Sequence, residues 1–390
     1  MNKKDILILS TADWDCPIQT NKQYIAKELS KLGYRVLYVE SLGIRKVKIK
    51  KSDFFRIIKR SSRMLIPFLN PQKNIYILSP IMIPGATNKI SFYLNKKLLN
   101  FKLNLAFIFL NFKRDLLWTF NPLTNFYIKL NKFKSTIYHA VDSIEHQPDM
   151  PKDLIIRNEK YLATKVNNIF VTSPNLLKKL SAYNKAISYF GNVCDFNHFA
   201  KSVSITSEFI PKDIKNIKKP IVGFIGSISD YKLDFDLINK VSKENENISF
   251  VFIGPTDDTK DKSKIKEIDK KNNIYLLGYK KYESLPNYCA HIDVGWLPLL
   301  MNQYTKSMFP MKFFEYLAAG LPVVSTAIDS LKKYSEVAFL SENKSNLFSK
   351  NIRLAIDQIG PDLNIRQKVA KENTYKIRTI NMLKEIDFLN

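Results

Sequence analysis

The sequence is poor in cysteine, histidine, glycine and acidic residues. Its 390 residues include three cysteines and four histidines, which excludes a small disulfide-stapled scaffold and predicts reduced thiols at Cys16, Cys194 and Cys289. Eleven glycines and 17 prolines exclude collagen-like or linker-dominated chains. Because 45% of the residues are hydrophobic and 12% aromatic, the chain has enough apolar side chains to form folded cores.

Long apolar runs are also missing. The longest, residues 103–110, is far shorter than the roughly 20 residues that cross a bilayer. The apolar stretch near the first residue is too short for a signal peptide. We therefore expect a cytoplasmic protein.

The charge is strongly positive, with 61 Lys and Arg against 36 Asp and Glu and a formal net charge of +25. Basic residues concentrate from Ile44 to Met64 and from Lys89 to Arg114, where they alternate with aliphatic and aromatic side chains. This pattern favours helices that lie on an anionic membrane surface. The alternative is a solvated basic face that reflects a general bias towards Lys, Ile and Asn.

Apolar runs alternate with segments of helical periodicity along the whole chain. Residues 5–10 are typical of a buried parallel strand, residues 21–32 of an amphipathic helix and residues 35–40 of a second strand. Such strand–helix–strand units predict an α/β fold with parallel, doubly wound sheets. The predicted domains are residues 1–199, a linker at 200–219, a second α/β domain at 220–370, and a C-terminal helix at 371–390 that could cross back to the first domain.

The most informative segment is PMKFFEYLAAGLPVVST, residues 310–326. Pro310 favours the first turn of a helix, and Gly320 ends it before the next strand. Lys312 in the first turn opposes the helix dipole, and a bound phosphate would resolve that conflict. Glu315 follows one turn later on the same side. The alternative is an amphipathic helix with a Lys–Glu surface pair.

This segment resembles the E-(A/Y)-(M/L)-A-A-G-x-P-V-V motif of GT-B glycosyltransferases, specifically the retaining family-4 type. Further similar segments occur in the family's order along nearly the whole chain: a glycine-rich turn at 223–228 followed by Lys232, and the segments 190–199, 251–255, 274–278 and 285–293. The resemblance implies two Rossmann-like domains that face each other across a cleft. It also implies transfer of a sugar from a nucleotide-sugar, with the anomeric configuration retained and no metal or other cofactor.

The resemblance assigns roles to residues of the second domain. Glu315 matches the carboxylate that binds the donor ribose, and Lys232 matches a lysine that neutralises the diphosphate leaving group. Two positions depart from the family pattern, because Ser227 replaces an arginine and Ser307 replaces a glutamate. We expect Lys312 to compensate, with Ser307 and the helix N-terminus. The full set of predicted donor-binding residues is Gly226, Ser227, Gly254, Tyr279, Ser307, Lys312 and Glu315.

Candidate residues of the first domain follow its predicted strands. His139 matches a family histidine that contacts the donor sugar, so the predicted catalytic set is His139, Lys232 and Glu315; a structural histidine is the alternative for His139. Asp142 would orient His139 or bind acceptor hydroxyls, or it caps a helix. The loop with Asp13, Trp14 and Asp15 combines an aromatic ring with carboxylates, as in many sugar sites, or simply packs. No His/Cys pair has metal-ligand spacing.

Together these features predict a glycosyltransferase of surface polysaccharide synthesis that acts on a saccharide or lipid-linked saccharide at the inner face of the cell membrane. Three alternatives remain at this point. They are a sugar-nucleotide epimerase of the same fold, an inactive scaffold, and a basic nucleic-acid-binding protein, although no nucleic-acid-binding module is recognisable.

Overall fold

The structure is a computed structural model that describes residues 4–16, 19–43, 66, 68–83, 89–257 and 259–389. The chain divides into two compact units: unit 1 is Met1–Phe190 with Thr379–Asn390, and unit 2 is Gly191–Arg378. The basic segment from Ile44 to Met64 lies outside the described residues.

Unit 1 is a doubly wound α/β unit. Its strands are β1 (Asp5–Leu9), β2 (Arg35–Val39), β3 (Leu69–Gln72), β4 (Ile75–Leu78), β5 (Leu116–Thr119), β6 (Ser135–Ala140), β7 (Asn168–Val171) and β8 (Ile187–Tyr189). Its helices are α1 (Asn21–Lys31), α2 (Lys89–Leu110), α3 (Thr124–Tyr127), α4 (Lys152–Lys165) and α5 (Pro174–Leu180). Within the described ranges the strand order is β3-β4-β2-β1-β5-β6-β7-β8, and only β3 pairs antiparallel.

Both faces of this sheet are buried, which explains why its central strands are continuously apolar. Ile6 and Ile8 of β1 belong to one apolar cluster, whereas Leu7 and Leu9 belong to another. Because neighbouring side chains of a strand point to opposite faces, the two clusters are the cores above and below the sheet.

Unit 2 repeats this plan with a parallel sheet of order β11-β10-β9-β12-β13-β14. The strands are β9 (Ile221–Ile225), β10 (Ser249–Ile253), β11 (Ile274–Gly278), β12 (Val294–Leu297), β13 (Val323–Thr326) and β14 (Phe339–Ser341). The helices from residue 191 onwards are α6 (Phe196–Phe199), α7 (Lys212–Lys215), α8 (Phe235–Glu244), α9 (Lys262–Asp269), α10 (Leu285–Cys289), α11 (Gln303–Lys306), α12 (Lys312–Ala318), α13 (Ser345–Ile356), α14 (Leu363–Glu372) and α15 (Tyr375–Glu385).

Among the parallel strands of each sheet the order reverses once, between β1 and β5 in unit 1 and between β9 and β12 in unit 2. Loops that leave the carboxyl ends of strands at such a point form the ligand-binding crevice of open α/β sheets. Ligand-binding residues are therefore expected in the loops after β1, β5, β9 and β12.

Several elements differ from the sequence-based expectations. The predicted linker 200–219 lies inside unit 2 and contains α7, whose Ile214 is fully buried in the unit 2 core. The short strand β14 pairs parallel with β13 and forms an edge of the unit 2 sheet. The sequence predicts a C-terminal helix that starts at residue 371 and could cross back to the first domain; in the structure the part that belongs to unit 1 is Thr379–Asn390, where Met382, Leu383 and Phe388 join the cluster that contains Ile6.

Candidate functional site

The segment that resembles the family motif places Glu315 and Lys312 in the first turn of α12. Because β12 and β13 are parallel neighbours, α12 runs back from the carboxyl edge of the sheet, and its first turn lies at that edge. Lys312 donates to a carboxylate oxygen of Glu315. The side chain of Glu315 is 4% exposed and that of Lys312 is 23% exposed. Lys312 Nζ also lies 5.4 Å from the centre of the Phe199 ring.

Helix α12 is fixed by contacts that hold its side chains in place. The Ile225 N–H donates to the Tyr316 hydroxyl at 2.7 Å, which ties α12 to the end of β9. A Cβ at Gly295 would lie 2.5 Å from the Tyr316 ring, so only glycine leaves room for this ring on β12. The Asn192 amide donates to the Phe309 carbonyl at 2.6 Å and anchors the loop before the helix.

The loop after β9 carries Lys232. The Leu300 N–H donates to the Lys232 carbonyl at 2.8 Å, and the Asn302 amide donates to the Tyr231 carbonyl at 2.9 Å. Lys232 Nζ lies 5.1 Å and 6.0 Å from the ring centres of Tyr231 and Tyr304. Two neighbouring loops and two aromatic rings therefore position this cation.

Gly226 and Gly254 follow the neighbouring strands β9 and β10 and lie against each other. Both have positive φ angles, 157° and 152°, and a Cβ on Gly254 would lie 1.8 Å from the Gly226 carbonyl oxygen. This close approach brings the backbones that follow β9 and β10 together beside Ser227. Ser307 lies in the loop before α12, and Tyr279 follows β11, where it is 46% exposed.

In unit 1, His139 is the penultimate residue of β6 and is fully buried. Trp118 Nε1–H donates to His139 Nδ1 at 3.3 Å, so the neutral ring carries its proton on Nε2. Phe120 stacks on the imidazole with 4.9 Å between ring centres, and Phe170 lies edge-on at 6.2 Å. These aromatic contacts fix the orientation of the ring.

Asp142 follows β6 and has a basic neighbour on α1. Burial lowers the pKa of Lys22, and the Asp142 carboxylate opposes that shift. Lys22 Nζ lies 5.8 Å from the centre of the Phe120 ring. His139, Phe120, Lys22 and Asp142 therefore belong to one neighbourhood at the carboxyl edge of the unit 1 sheet.

The loop after β1 holds Asp13, Trp14 and Asp15. Asp15 is exposed and Trp14 is half-buried; the Trp14 ring makes an edge contact with Tyr38 at 5.1 Å between centres. The Trp14 N–H donates to Glu40 Oε1 at 2.9 Å, and the Gln23 amide donates to the Asp13 carbonyl at 2.8 Å.

Sequence reasoning missed Lys22, Glu40 and Asn192 as site residues. For Glu40 a signal was available, because an acidic residue directly after an apolar parallel strand lies at the functional edge of the sheet. Nothing in the sequence pairs Lys22 with Asp142, or Asn192 with Phe309, because each pair is more than 100 residues apart.

A metal site is not found within the described ranges. No group of three or more His, Cys, Asp or Glu residues is placed there to hold a metal ion. Burial raises the pKa of the Cys194 and Cys289 thiols, which disfavours the nucleophilic thiolate form at neutral pH.

Comparison with solved structures defines the fold class. The chain is similar to sucrose-phosphate synthase from Thermosynechococcus elongatus, with a TM-score of 0.74, 15% identity and 99% coverage of both chains. It is also similar to HepE from Anabaena, solved with UDP and glucose, with a TM-score of 0.66, 14% identity and coverage of 98% of this chain and 99% of the other. The fold is GT-B, with two Rossmann-like units, and this prediction from the sequence is confirmed.

Sequence comparison relates unit 2 to a known family. Residues 219–357 match the family model described as glycosyl transferases group 1. A stretch of 156 residues is 31% identical to TuaH of Bacillus subtilis (strain 168), named as a teichuronic acid biosynthesis glycosyltransferase. The match covers 40% of this chain and 38% of that relative's length. Retention of configuration stays a prediction.

Proposed function

We propose that the protein transfers a sugar from a nucleoside-diphosphate sugar to a saccharide acceptor in the synthesis of a surface polysaccharide. The observation that carries the proposal is the buried Glu315 with Lys312, held at the carboxyl edge of a glycosyltransferase group 1 domain. The name of the relative TuaH and the UDP bound to HepE support the pathway and the donor class.

In this proposal the donor binds at unit 2. Glu315 accepts hydrogen bonds from the two ribose hydroxyls, because a carboxylate is suited to paired donors. Lys232 and Lys312 face the diphosphate and stabilise the charge that develops on it as the glycosidic bond breaks. Two lysines would thus supply the positive charge that the family pattern places on an arginine at Ser227. The Lys312–Glu315 contact keeps the buried carboxylate compensated until the donor hydroxyls bind it.

The acceptor is proposed to bind at unit 1, near Trp14 and its two flanking aspartates. His139 would donate from Nε2–H to the transferred sugar, and Asp142 would accept from a sugar hydroxyl. We infer retention of the anomeric configuration and independence of metal from the family resemblance. NMR of the product would test the first, and turnover in EDTA would test the second.

A nucleotide-binding measurement tests the donor site. Of UDP, GDP, CDP and dTDP, we expect UDP to raise the melting temperature. A bound ligand at about 100 times its Kd stabilises the folded state by about 2.7 kcal/mol. Glu315→Gln should lose most of this shift. Glu342→Gln is the matched control, because Glu342 is a carboxylate of the same unit that is 71% exposed and paired with a lysine.

Two results would contradict the proposal. If nucleotide raised the melting temperature of the Glu315→Gln and Glu342→Gln proteins equally, the proposed contact between Glu315 and the donor ribose would be wrong. Epimers formed from a UDP-sugar alone, without an acceptor, would instead favour a sugar-nucleotide epimerase.

We further propose that α2 docks unit 1 on an anionic lipid surface. The buried face of α2 contains Leu99, Leu103 and Ala106, whereas Ile90, Phe101 and Ile108, which are 72%, 62% and 75% exposed, lie on the opposite face at helical spacing. The exposed Lys97 lies on that same outward face. An apolar stripe with neighbouring cations is typical of interfacial helices. No helix among the described residues is long and apolar enough to cross a membrane.

Vesicle flotation tests this surface. We expect the protein to float with phosphatidylglycerol-containing vesicles at low salt and less so at high salt. Replacing Phe101 and Ile108 by serine should reduce the bound fraction several-fold. Ile365→Ser removes an equally apolar residue from a helix of unit 2, where the side chain is 48% exposed, and should not change binding. Equal binding of all three proteins would refute the assignment.

A further inference from the structure

A chain of buried polar groups runs across the carboxyl edge of the unit 1 sheet. The Trp14 N–H donates to Glu40 Oε1 at 2.9 Å, and the Ser79 hydroxyl donates to Glu40 Oε2 at 2.5 Å. Lys102 Nζ then donates to the Ser79 carbonyl at 3.0 Å. Glu40 and Lys102 are each 2% exposed, and Ser79 is 6% exposed.

The order of the strands explains how these residues meet. Ser79 follows β4, Glu40 follows β2, and the Trp14 loop follows β1, and these three strands are consecutive neighbours in the sheet. Lys102 reaches the same edge from α2, which packs on the face formed by Leu37, Val39 and Leu78. Four residues from distant parts of the sequence therefore form one continuous connection.

Burial of the charged groups in this connection costs free energy, which their partners must offset. A buried carboxylate and a buried ammonium group both lose hydration, and each needs a partner. Burial lowers the pKa of Lys102, and the Glu40 carboxylate opposes that shift. Each Glu40 oxygen accepts from a different segment, so removal of this side chain leaves two donors without that acceptor.

We propose that Glu40 is a positioning residue that fixes Trp14 for the acceptor, with Lys102 as its counter-charge and Ser79 as the link between them. The inference deepens the proposed function, because it rests on the assignment of the Trp14 loop to acceptor binding. Other bonds hold the loop further upstream: the Tyr38 hydroxyl donates to the Ala12 carbonyl at 3.0 Å. Glu40 is bound to Trp14 itself, so its loss should act on Trp14 and not on the whole loop.

Fluorescence quenching tests the position of Trp14 without any ligand. The chain has three tryptophans, of which Trp118 and Trp296 are fully buried, so acrylamide mainly reports on Trp14. We expect Glu40→Ala to raise the quenching constant at least about two-fold, because the loop opens locally. The Trp14→Phe protein supplies the background of the two buried rings.

Two further variants separate positioning from general destabilisation. Glu40→Gln keeps an oxygen for the Trp14 N–H, so its quenching should stay close to wild type even though Lys102 loses its counter-charge. Asp115→Asn is the matched control, because Asp115 is also a buried carboxylate that accepts a backbone N–H, from Asp5 at 3.0 Å, at the opposite edge of the same sheet. It should lower the melting temperature without changing the quenching.

The same proteins distinguish failure of this inference from failure of the proposed function. Unchanged quenching in Glu40→Ala, or an equal rise in Glu40→Gln or Asp115→Asn, would overturn the role of Glu40. The UDP-induced rise in melting temperature should persist in Glu40→Ala, because the proposed donor residues lie in unit 2. Absence of that rise in the wild-type protein would contradict the donor assignment. The quenching result would then still test whether Glu40 positions Trp14.

Discussion

The contact between Gly254 and Gly226 makes a strong prediction about a single methyl group. A Cβ on Gly254 would lie 1.8 Å from the Gly226 carbonyl oxygen and 2.7 Å from its carbonyl carbon. Because the clashing atoms belong to the backbone of Gly226, directly after β9, no side-chain rotation relieves the overlap. The ends of β9 and β10 would have to move apart by about 1.5 Å to reach an ordinary van der Waals distance.

The magnitude follows from two separate penalties. Alanine at a positive φ costs about 1–2 kcal/mol, and overpacking of a closely packed site typically costs about 1–3 kcal/mol more. We therefore expect Gly254→Ala to lower the free energy of unfolding of unit 2 by about 2–5 kcal/mol. Gly278→Ala is the control, because Gly278 has a φ of 68° and a Cβ there would meet no atom within 4 Å, so it should cost only about 1–2 kcal/mol.

Hydrogen exchange followed by mass spectrometry provides the measurement, because peptides that contain β9 and β10 report on unit 2 separately from unit 1. Stabilisation by UDP should also fall in Gly254→Ala, since the strand ends beside Ser227 would shift. Equal destabilisation by the two substitutions, within about 0.5 kcal/mol, would refute the reasoning. It would mean that backbone conformation and not the approach of the two glycines limits this position.

Three further predictions concern charged side chains. Lys312→Ala should weaken UDP stabilisation measured by thermal shift, and an unchanged shift would remove Lys312 from the phosphate site. Arg366 donates to the Gly320 carbonyl from Nε at 3.0 Å and Nη2 at 2.7 Å, so Arg366→Leu should destabilise unit 2 in urea by about 1–3 kcal/mol; no change in the urea midpoint would contradict this. Burial lowers the pKa of Lys22, so the unfolded chain binds this proton more tightly and wild-type stability rises with pH between the lowered pKa and about 10.4. The Lys22→Met protein should therefore have a higher free energy of unfolding than wild type near neutral pH. Urea unfolding in a pH series should show this difference shrinking towards pH 10; a difference that does not change with pH would contradict the lowered pKa of Lys22.

The sequence predicts the central strands well because parallel strands buried on both faces are continuously apolar. The segments of β1, β2 and β9 have no polar residue that interrupts the run after the first position. Edge strands lack this signal: β3 has the sequence LNPQ and β8 is only half-buried. The segment 200–219 resembles a linker because its composition is polar, yet the buried Ile214, with Ile210 and Ile217 packed against the same cluster, attaches part of it to the unit 2 core.

For the candidate site, the sequence predicts where residues leave the strands but not what they contact. Glu315, Lys232 and His139 can be placed at strand or helix ends from local pattern and family resemblance. The partners of these residues come from long-range packing, such as Trp118 for His139 and Tyr304 for Lys232. The Glu40 connection joins four separate segments, and no periodicity within one segment encodes it.

The return of residues 379–389 to unit 1 has a consequence for synthesis on the ribosome. Met382, Leu383 and Phe388 share an apolar cluster with Ile6 and Ile8, and the Tyr34 hydroxyl donates to the Phe388 carbonyl at 2.8 Å. The core of unit 1 is therefore not complete until the whole of unit 2 has been translated. During that interval the apolar side chains that Met382, Leu383 and Phe388 cover are exposed to solvent, which favours aggregation of the incomplete unit.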